Sequence, residues 1–346
     1  MAEASDNAEL QFAVTGINRF VYAYIRSLPD LSGRVVLDIP AGDGRASQEF
    51  LRKGAIVKPL DLFPEFLKVS GLEGGFGDMG DPLPLSDASV DIVMCQEGIE
   101  HVPDQLGLLN EFNRVLKPGG RLLLTTPSLS HVRARVSHML FETDLWRRMP
   151  PTELDSVWFS ESRSDRIYFG HLFLLGVHHL RTICSISGFE IRERIRTQIG
   201  WTSVFLGVLL YPLLVLTTLI TYRTYSKKKR DIPSAARKRI WGDHVRLNLS
   251  PKTLFCKHIF WVLEKRRSSE EQRLDLVRLV DRSAGTGGRT ARRSGSVQRR
   301  RRTMAALMNG IRLRLINAGL LVCVLLSVGH MSPVLAEAPH KPAVSL

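Results

Sequence analysis

A glycine turn flanked by acids is the part of this chain best suited to chemistry. In VVLDIPAGDGRAS (35–47) an apolar run ends at Asp38, and Gly42 and Gly44 follow two apart, just before residues 45–53, which read as a helix. Such a turn lets backbone N–H groups and a helix N-terminus approach a ligand with no side chain in the way. Asp61 ends a second apolar run, in KPLDLFPEFL, where an acid can accept both hydroxyls of a ribose. Gln96, Glu97, Glu100 and His101 follow a third apolar run, and His171 stands in YFGHLF. A histidine that titrates near neutrality can take the proton of a hydroxyl nucleophile. His101 suits that role, or that of a structural histidine opening the next helix; spacing leaves both open.

The elements that must hold these residues alternate. Apolar positions at helical spacing over 12–28 predict a helix, 35–38 a first strand, 55–61 a second, 74–78 a short third strand or loop and 90–95 a fourth. A helix over 104–116 stops at Lys117-Pro118-Gly119-Gly120, and 121–126 is a strand rich enough in Leu and Thr to be buried on both faces. A helix at 176–187 and strands at 189–194 and 254–263 complete a mainly parallel α/β sheet. Residues 129–170 carry many charges and aromatics without clean periodicity, as expected of loops that cover a pocket.

The formal charge of +14 over 346 residues would suggest an anionic partner if it were spread over the fold. Much of it is local: 283–302 holds seven arginines and no acid, and Lys227-Lys228-Lys229-Arg230 forms a second cluster. The four cysteines show no C-x-x-C spacing, which argues against a zinc site or a disulfide framework and suits a reducing, cytoplasmic setting.

With these elements in place, 35–47 resembles motif I of the class I S-adenosylmethionine (SAM) methyltransferases, D-x-G-x-G-x-G, with Pro40 where the first glycine usually stands. Gly77-Asp78-Met79, PLPLSDASVDIVMCQEGIEHVPD and LNEFNRVLKPGGRLLLTTPS follow in the family's order. The resemblance covers 34–128 closely and the chain to about 265 more loosely, and is to the type-11-like group that includes quinone and glycan-cluster enzymes. It implies a Rossmann-like α/β sheet of seven strands, mainly parallel with the last antiparallel, and SAM as cofactor. Asp38, Pro40, Gly42, Gly44, Asp61, Leu62, Asp78, Met79, Gln96 and Glu97 are its implied cofactor residues: Asp38 for the methionine amino group, Asp61 for the ribose, Asp78 and Met79 for the adenine, Gln96 and Glu97 for the methionine half. His101 and His171 are the candidate catalytic residues. No cluster with metal-ligand spacing stands out, so transfer is expected to be metal-independent. A nicotinamide-dependent oxidoreductase is disfavoured by Asp38 before the turn and by Ser47 where a dinucleotide fingerprint needs a small packing residue. A non-catalytic membrane- or nucleic-acid-binding protein on the same fold is disfavoured by the intact glycines and Asp61.

The expected domain is 1–265, interrupted by a hydrophobic membrane-associating insertion at 197–230. Residues 197–222 carry no charge, their core at 204–220 is nearly all apolar with Pro212 in the middle, and the basic cluster follows. Because both flanking strands belong to one sheet, the expectation is a re-entrant hairpin turning near Pro212, or a kinked helix lying in the interface. This places the chain on the cytoplasmic face of a membrane and favours a small-molecule or lipid-linked acceptor over nucleic acid. Residues 266–303 are expected to be a basic disordered linker, and 304–346 a signal-peptide-like or anchor-like tail, or the start of a fused reading frame.

Overall fold

A computed structural model describes residues 16–144, 149–160, 163–228 and 234–286. The chain divides into two units, Met1–Arg282 and Ser283–Leu346. In the first, α1 (Asn18–Ser27), β1 (Val35–Asp38), α2 (Arg45–Arg52), β2 (Ile56–Asp61), β3 (Gly75–Phe76), β4 (Val90–Gln96), α3 (Gln105–Val115) and β5 (Leu116–Pro127) follow the expected alternation. Then come α4 (Val132–Phe141), α5 (Glu153–Ser156), β6 (Val157–Ser160), β7 (Arg163–Phe169), α6 (Val177–Ile186), β8 (Phe189–Arg194), α7 (Trp201–Lys228), α8 (Ser234–Asn248), α9 (Pro251–Phe255), β9 (His258–Lys265) and α10 (Ser269–Thr286).

Seven strands form one sheet in the order β3-β2-β1-β4-β5-β9-β8. The pairs from β3 to β5 are parallel, and β9 runs antiparallel to both β5 and β8. This is the Rossmann-like, mainly parallel sheet of seven strands that the resemblance implies, with its last strand reversed. Both faces are covered, because successive strand residues point to opposite sides and both kinds are apolar. Leu37, Val93 and Leu122 join Leu109, Phe112 and Leu180 on the α3 and α6 side. Val36, Met94 and Leu123 join Val21, Ile25 and Phe50 on the α1 and α2 side. Burying each of the two phenylalanines contributes roughly 1.5–3 kcal/mol. The strand order reverses between β1 and β4, so the carboxyl ends of these strands open the crevice where α/β sheets bind ligands.

The last strand starts later than the sequence suggests. Pro251 at a helix start turns 251–255 into α9, and the strand begins at His258. Because β9 is antiparallel, its first residue, His258, pairs with Pro127 at the carboxyl end of β5.

Of the two forms expected for the insertion, the hairpin is absent. No turn forms at Pro212: α7 runs through it as one helix of 28 residues, about 42 Å at 1.5 Å per residue. The stretch LLYPLLV has no Gly, Asn, Asp or Ser with which to close a turn, so the proline is absorbed in the helix. The return arm is α8, antiparallel to the second half of α7: Asn248 Nδ2 donates to Thr218 Oγ1 at 2.7 Å, and Arg237 Nη1 to the Ser226 carbonyl at 2.9 Å. The first half of α7 packs on α4 and α9, and at Gly207 a Cβ would lie 2.5 Å from Phe255 Cε1. One face of α7 is therefore held to the domain along its length. The other is bare: Trp201, Phe205, Val208, Leu209, Leu216 and Ile220 are all more than half exposed.

The linker expected over 266–303 is helical in its first part, where α10 places Glu270 and Glu271 in the first turn against the helix dipole. The remainder of that linker, the 304–346 tail, and Lys229 and Arg230 lie outside the described residues.

Candidate active site

The residues expected to hold the cofactor converge at the carboxyl edge of β1, β2 and β4. The glycine turn takes positive φ at Gly42 (54°) and Gly44 (85°), and a Cβ on Gly44 would meet Leu67 Cδ1 at 2.5 Å. Asp61 fastens this turn to β2: Oδ2 accepts the Gly42 N–H at 2.8 Å and Oδ1 the Phe63 N–H at 2.8 Å. Each carboxylate oxygen keeps a lone pair for a further donor. Asp38 is buried, and its Oδ2 accepts the Ser47 hydroxyl at 2.6 Å while Oδ1 is buried without a partner. Burial, which the Ser47 hydrogen bond only partly offsets, and the nearby Asp61 charge push the Asp38 carboxyl up to about 7. Pro40 and Met79 approach one another across Gly98, where a Cβ would lie 2.5 Å from Pro40 Cδ and 3.2 Å from Met79 Cε. Asp78 Oδ1 accepts the Gly80 N–H at 2.7 Å, and Leu62 offers its carbonyl to Arg166 Nη1 at 2.8 Å. Gln96 bonds through Nε2 to Asn18 of α1.

Past the end of β4 a second set of groups faces the same crevice. Glu97 holds a left-handed backbone (φ 50°), with Oε1 accepting from Thr125 Oγ1 at 2.9 Å and Oε2 3.5 Å from His258 Nε2. Glu100 is fully buried, with Oε2 accepting from Thr126 Oγ1 at 2.9 Å and Oε1 without a partner. Burial raises both carboxyls, and the Glu100 charge raises Glu97 further. His101 bonds through Nδ1 to the Phe169 carbonyl. A carbonyl only accepts, so Nδ1 carries the proton and Nε2 of the neutral ring holds the lone pair. Burial keeps His101 below the usual histidine range, hence neutral. His171 lies beside it, its ring tilted by 50° and the centroids 5.4 Å apart. Glu100, His101 and His171 each present a ligand atom, all within 4.8 Å of one another. The sequence spacing, which suggested metal-independent transfer, gave no sign of this grouping, because β6 and β7 separate His171 from the other two.

Residues 37–124 match a family model described as "Methyltransferase domain". That stretch is a methyltransferase domain. Among curated proteins, the chain is 39% identical over 112 residues to a "Ubiquinone biosynthesis O-methyltransferase" of Xylella fastidiosa (strain M23), covering 30% of this chain and 46% of the relative. It is 38% identical over 112 residues to the protein so named in Xanthomonas oryzae pv. oryzae (strain PXO99A), covering 30% and 47%. The chain thus spans about half the length of the curated relatives it matches. Among solved structures it is similar to a SAM-dependent methyltransferase from Mesorhizobium loti (14% identical, TM-score 0.39, covering 70% of this chain and 95% of that one). It is also similar to the YcgJ protein of Bacillus subtilis (18%, TM-score 0.40, 72% and 99%).

Two parts of the methyltransferase domain's surroundings escaped the sequence reading. One is His258, which reaches the site only because β9 is reversed; burial and the Lys257 charge lower it to about 4. The other is the β6–β7 hairpin, which packs against His101 within the region expected to be pocket-covering loops. Trp158 and Tyr168 sit edge to face at 5.5 Å, and both contact the His101 ring, at 5.8 and 5.6 Å. Beside β2 and β3, Tyr168 meets Phe63 at 5.9 Å and the Arg166 guanidinium lies 4.5 Å over the Phe76 ring. The aromatic pairs Trp158-Phe159 and Tyr168-Phe169, on either side of a polar stretch, were the available signal. His178 of α6 bonds through Nδ1 to His244 of α8 at 2.8 Å and helps hold the insertion.

Proposed function

We propose that the chain is a SAM-dependent O-methyltransferase acting at a membrane surface on an amphipathic acceptor, a quinone-like small molecule or a lipid-linked glycan. The observation that carries this is where the bare helix is rooted. The segment after β8 stays paired with the chain leading into β9: Ile195 N–H bonds to the Phe260 carbonyl, Lys257 N–H to Gln198 and Gly200 N–H to Phe255, at 2.8–2.9 Å. The start of α7 is thereby fixed at the same end of the sheet as Glu97, His101 and His258. Of the most apolar 18-residue window of α7, 6% is buried, unlike a core helix. With its inner face packed on α4, α8 and α9, α7 is better suited to lie in the lipid interface than to cross it.

In this reading the sulfonium of bound SAM supplies the methyl group. Asp38 Oδ1 is the buried acceptor left for the ammonium, Asp61 holds the ribose, and Met79 with Pro40 packs the adenine end. His101 Nε2 takes the acceptor hydroxyl proton, and the lid of Trp158 and Tyr168 shuts out water. An oxygen acceptor is favoured because the curated relatives are named O-methyltransferases and because a base stands at the site. The test is transfer from radiolabelled SAM to separated aqueous and lipid extracts: label in the lipid phase is expected, and label confined to the aqueous phase overturns the membrane acceptor.

The grouping of Glu100, His101 and His171 supports a second reading, in which a divalent cation bound there activates the hydroxyl as a Lewis acid. Chelation distinguishes the two. Loss of turnover restored by Mg²⁺, Mn²⁺ or Zn²⁺ favours the cation, and turnover unchanged in chelator favours His101 as the base.

A further inference from the structure

A second concavity lies at the root of α7. It is a cleft of about 550 Å³ among α1, the 196–200 segment, the first turn of α7 and the start of α4, lined by Phe20, Arg133, Arg196, Trp201 and Lys257. None of the residues lining it is acidic. Among the described residues, none of its three cations is in an ion pair, and Arg133 Nε is buried without a partner. Trp201 and Thr202 open α7, where backbone N–H groups have no partner within the helix. His131, hydrogen-bonded to Ser203 behind the cleft, is driven down to about 3, first by burial and then by the nearby Arg133 and Lys257 charges.

We propose that this cleft binds the phosphate of an acidic membrane lipid, seating the headgroup between Arg133, Arg196 and Lys257 while the acyl chains run along the bare face of α7. The inference rests on the membrane reading above. An anion is required because three cations and a buried orphan donor converge with no carboxylate to neutralise them. A lipid fits better than a free phosphate because the cleft's own wall, Trp201, is 78% exposed and continues into Phe205, 75% exposed, and Val208, 77% exposed. One end of the ligand is thus offered charge and the other a hydrocarbon surface.

The experiment compares full-length protein on vesicles of phosphatidylcholine alone and on vesicles also containing phosphatidic acid, with glycerol 3-phosphate as a soluble competitor. Wild type is expected to bind both and to prefer the acidic vesicles. Arg133→Gln, Arg196→Gln and Lys257→Gln together should remove that preference, at about fivefold per neutralised cation, and leave binding to neutral vesicles unchanged. Arg223→Gln with Lys227→Gln, on the far half of α7, should keep most of it. A preference that survives the cleft substitutions but disappears with the Arg223 and Lys227 pair overturns the proposal. So does tight binding of glycerol 3-phosphate without preference for acidic vesicles, which would assign the cleft to a soluble phosphate. Absence of binding to any vesicle overturns the membrane reading together with the cleft.

Discussion

The Ser47 hydroxyl donates to Asp38 Oδ2 at 2.6 Å and leaves Oδ1 of the same buried carboxyl with no partner. One oxygen holds the helix to the strand, and the other faces an unmet demand for a donor. Burial and the Asp61 charge have raised this group from its ordinary value of 3.8 to about 7. A cationic ligand group at Oδ1 favours the ionised form, so SAM binding should expel a proton below neutrality. Affinity should rise with pH up to about 7 and level off above it. In the cofactor-free protein the sign is opposite. A carboxyl whose folded value is raised contributes most to stability below its unfolded value, and that contribution declines as pH rises through about 7. Calorimetry at pH 6 in two buffers of different ionisation enthalpy should show proton release for wild type and none for Asp38→Asn. That variant should also bind SAM more weakly by roughly 2 kcal/mol, the scale of a charged hydrogen bond.

The glycine turn tolerates no side chain at its second glycine. Gly44 has φ 85°, and its missing Cβ would lie 2.5 and 2.7 Å from Leu67 and Val69. Gly44→Val should therefore lose SAM binding by more than tenfold. Its melting temperature should fall as well, because strain in the left-handed region costs about 1–3 kcal/mol. Retained affinity would show that the turn does not meet the cofactor.

The proposed base, His101, keeps Nδ1 bonded to Phe169, and burial keeps it neutral. His101→Gln should lower kcat by 10²–10⁴ with SAM affinity unchanged. In wild type kcat should be level at neutral pH and fall only below the ordinary histidine range, with Glu97, Glu100 and His171 as the neighbours able to move that limb. A purely structural histidine would instead reduce thermal stability and leave the pH profile alone.

Much of this site was legible in the sequence because its residues stand at strand ends. Asp38, Asp61 and Gln96 each close an apolar run, and a parallel sheet brings such ends to one edge. What could not be read depends on long-range pairing. His258 joins the site through an antiparallel strand 131 residues after Pro127, its partner. The β6–β7 hairpin mixes Arg, Asp and Ser among its aromatics, so no period of two marks it. Of the two forms expected at Pro212, the hairpin is absent for a local reason: the residues on either side are mostly helix-forming leucines, and none of the polar residues or glycine that would close a turn stands beside the proline.

The two faces of α7 make opposite predictions. Gly207 lets the helix lie against α9, and any side chain there meets Phe255 at 2.5 Å. Gly207→Leu should cost about 1–3 kcal/mol by overpacking, read as a lower melting temperature in buffer without lipid. Phe205 points the other way and is 75% exposed. Phe205→Ser should leave the melting temperature unchanged. It should weaken vesicle binding by ten- to a hundredfold if the ring enters hydrocarbon, the equivalent of about 1.5–3 kcal/mol for burying such a side chain. If Phe205→Ser instead lowers stability in buffer and leaves vesicle binding intact, the bare face is covered by protein, and the apolar helix is a packing surface.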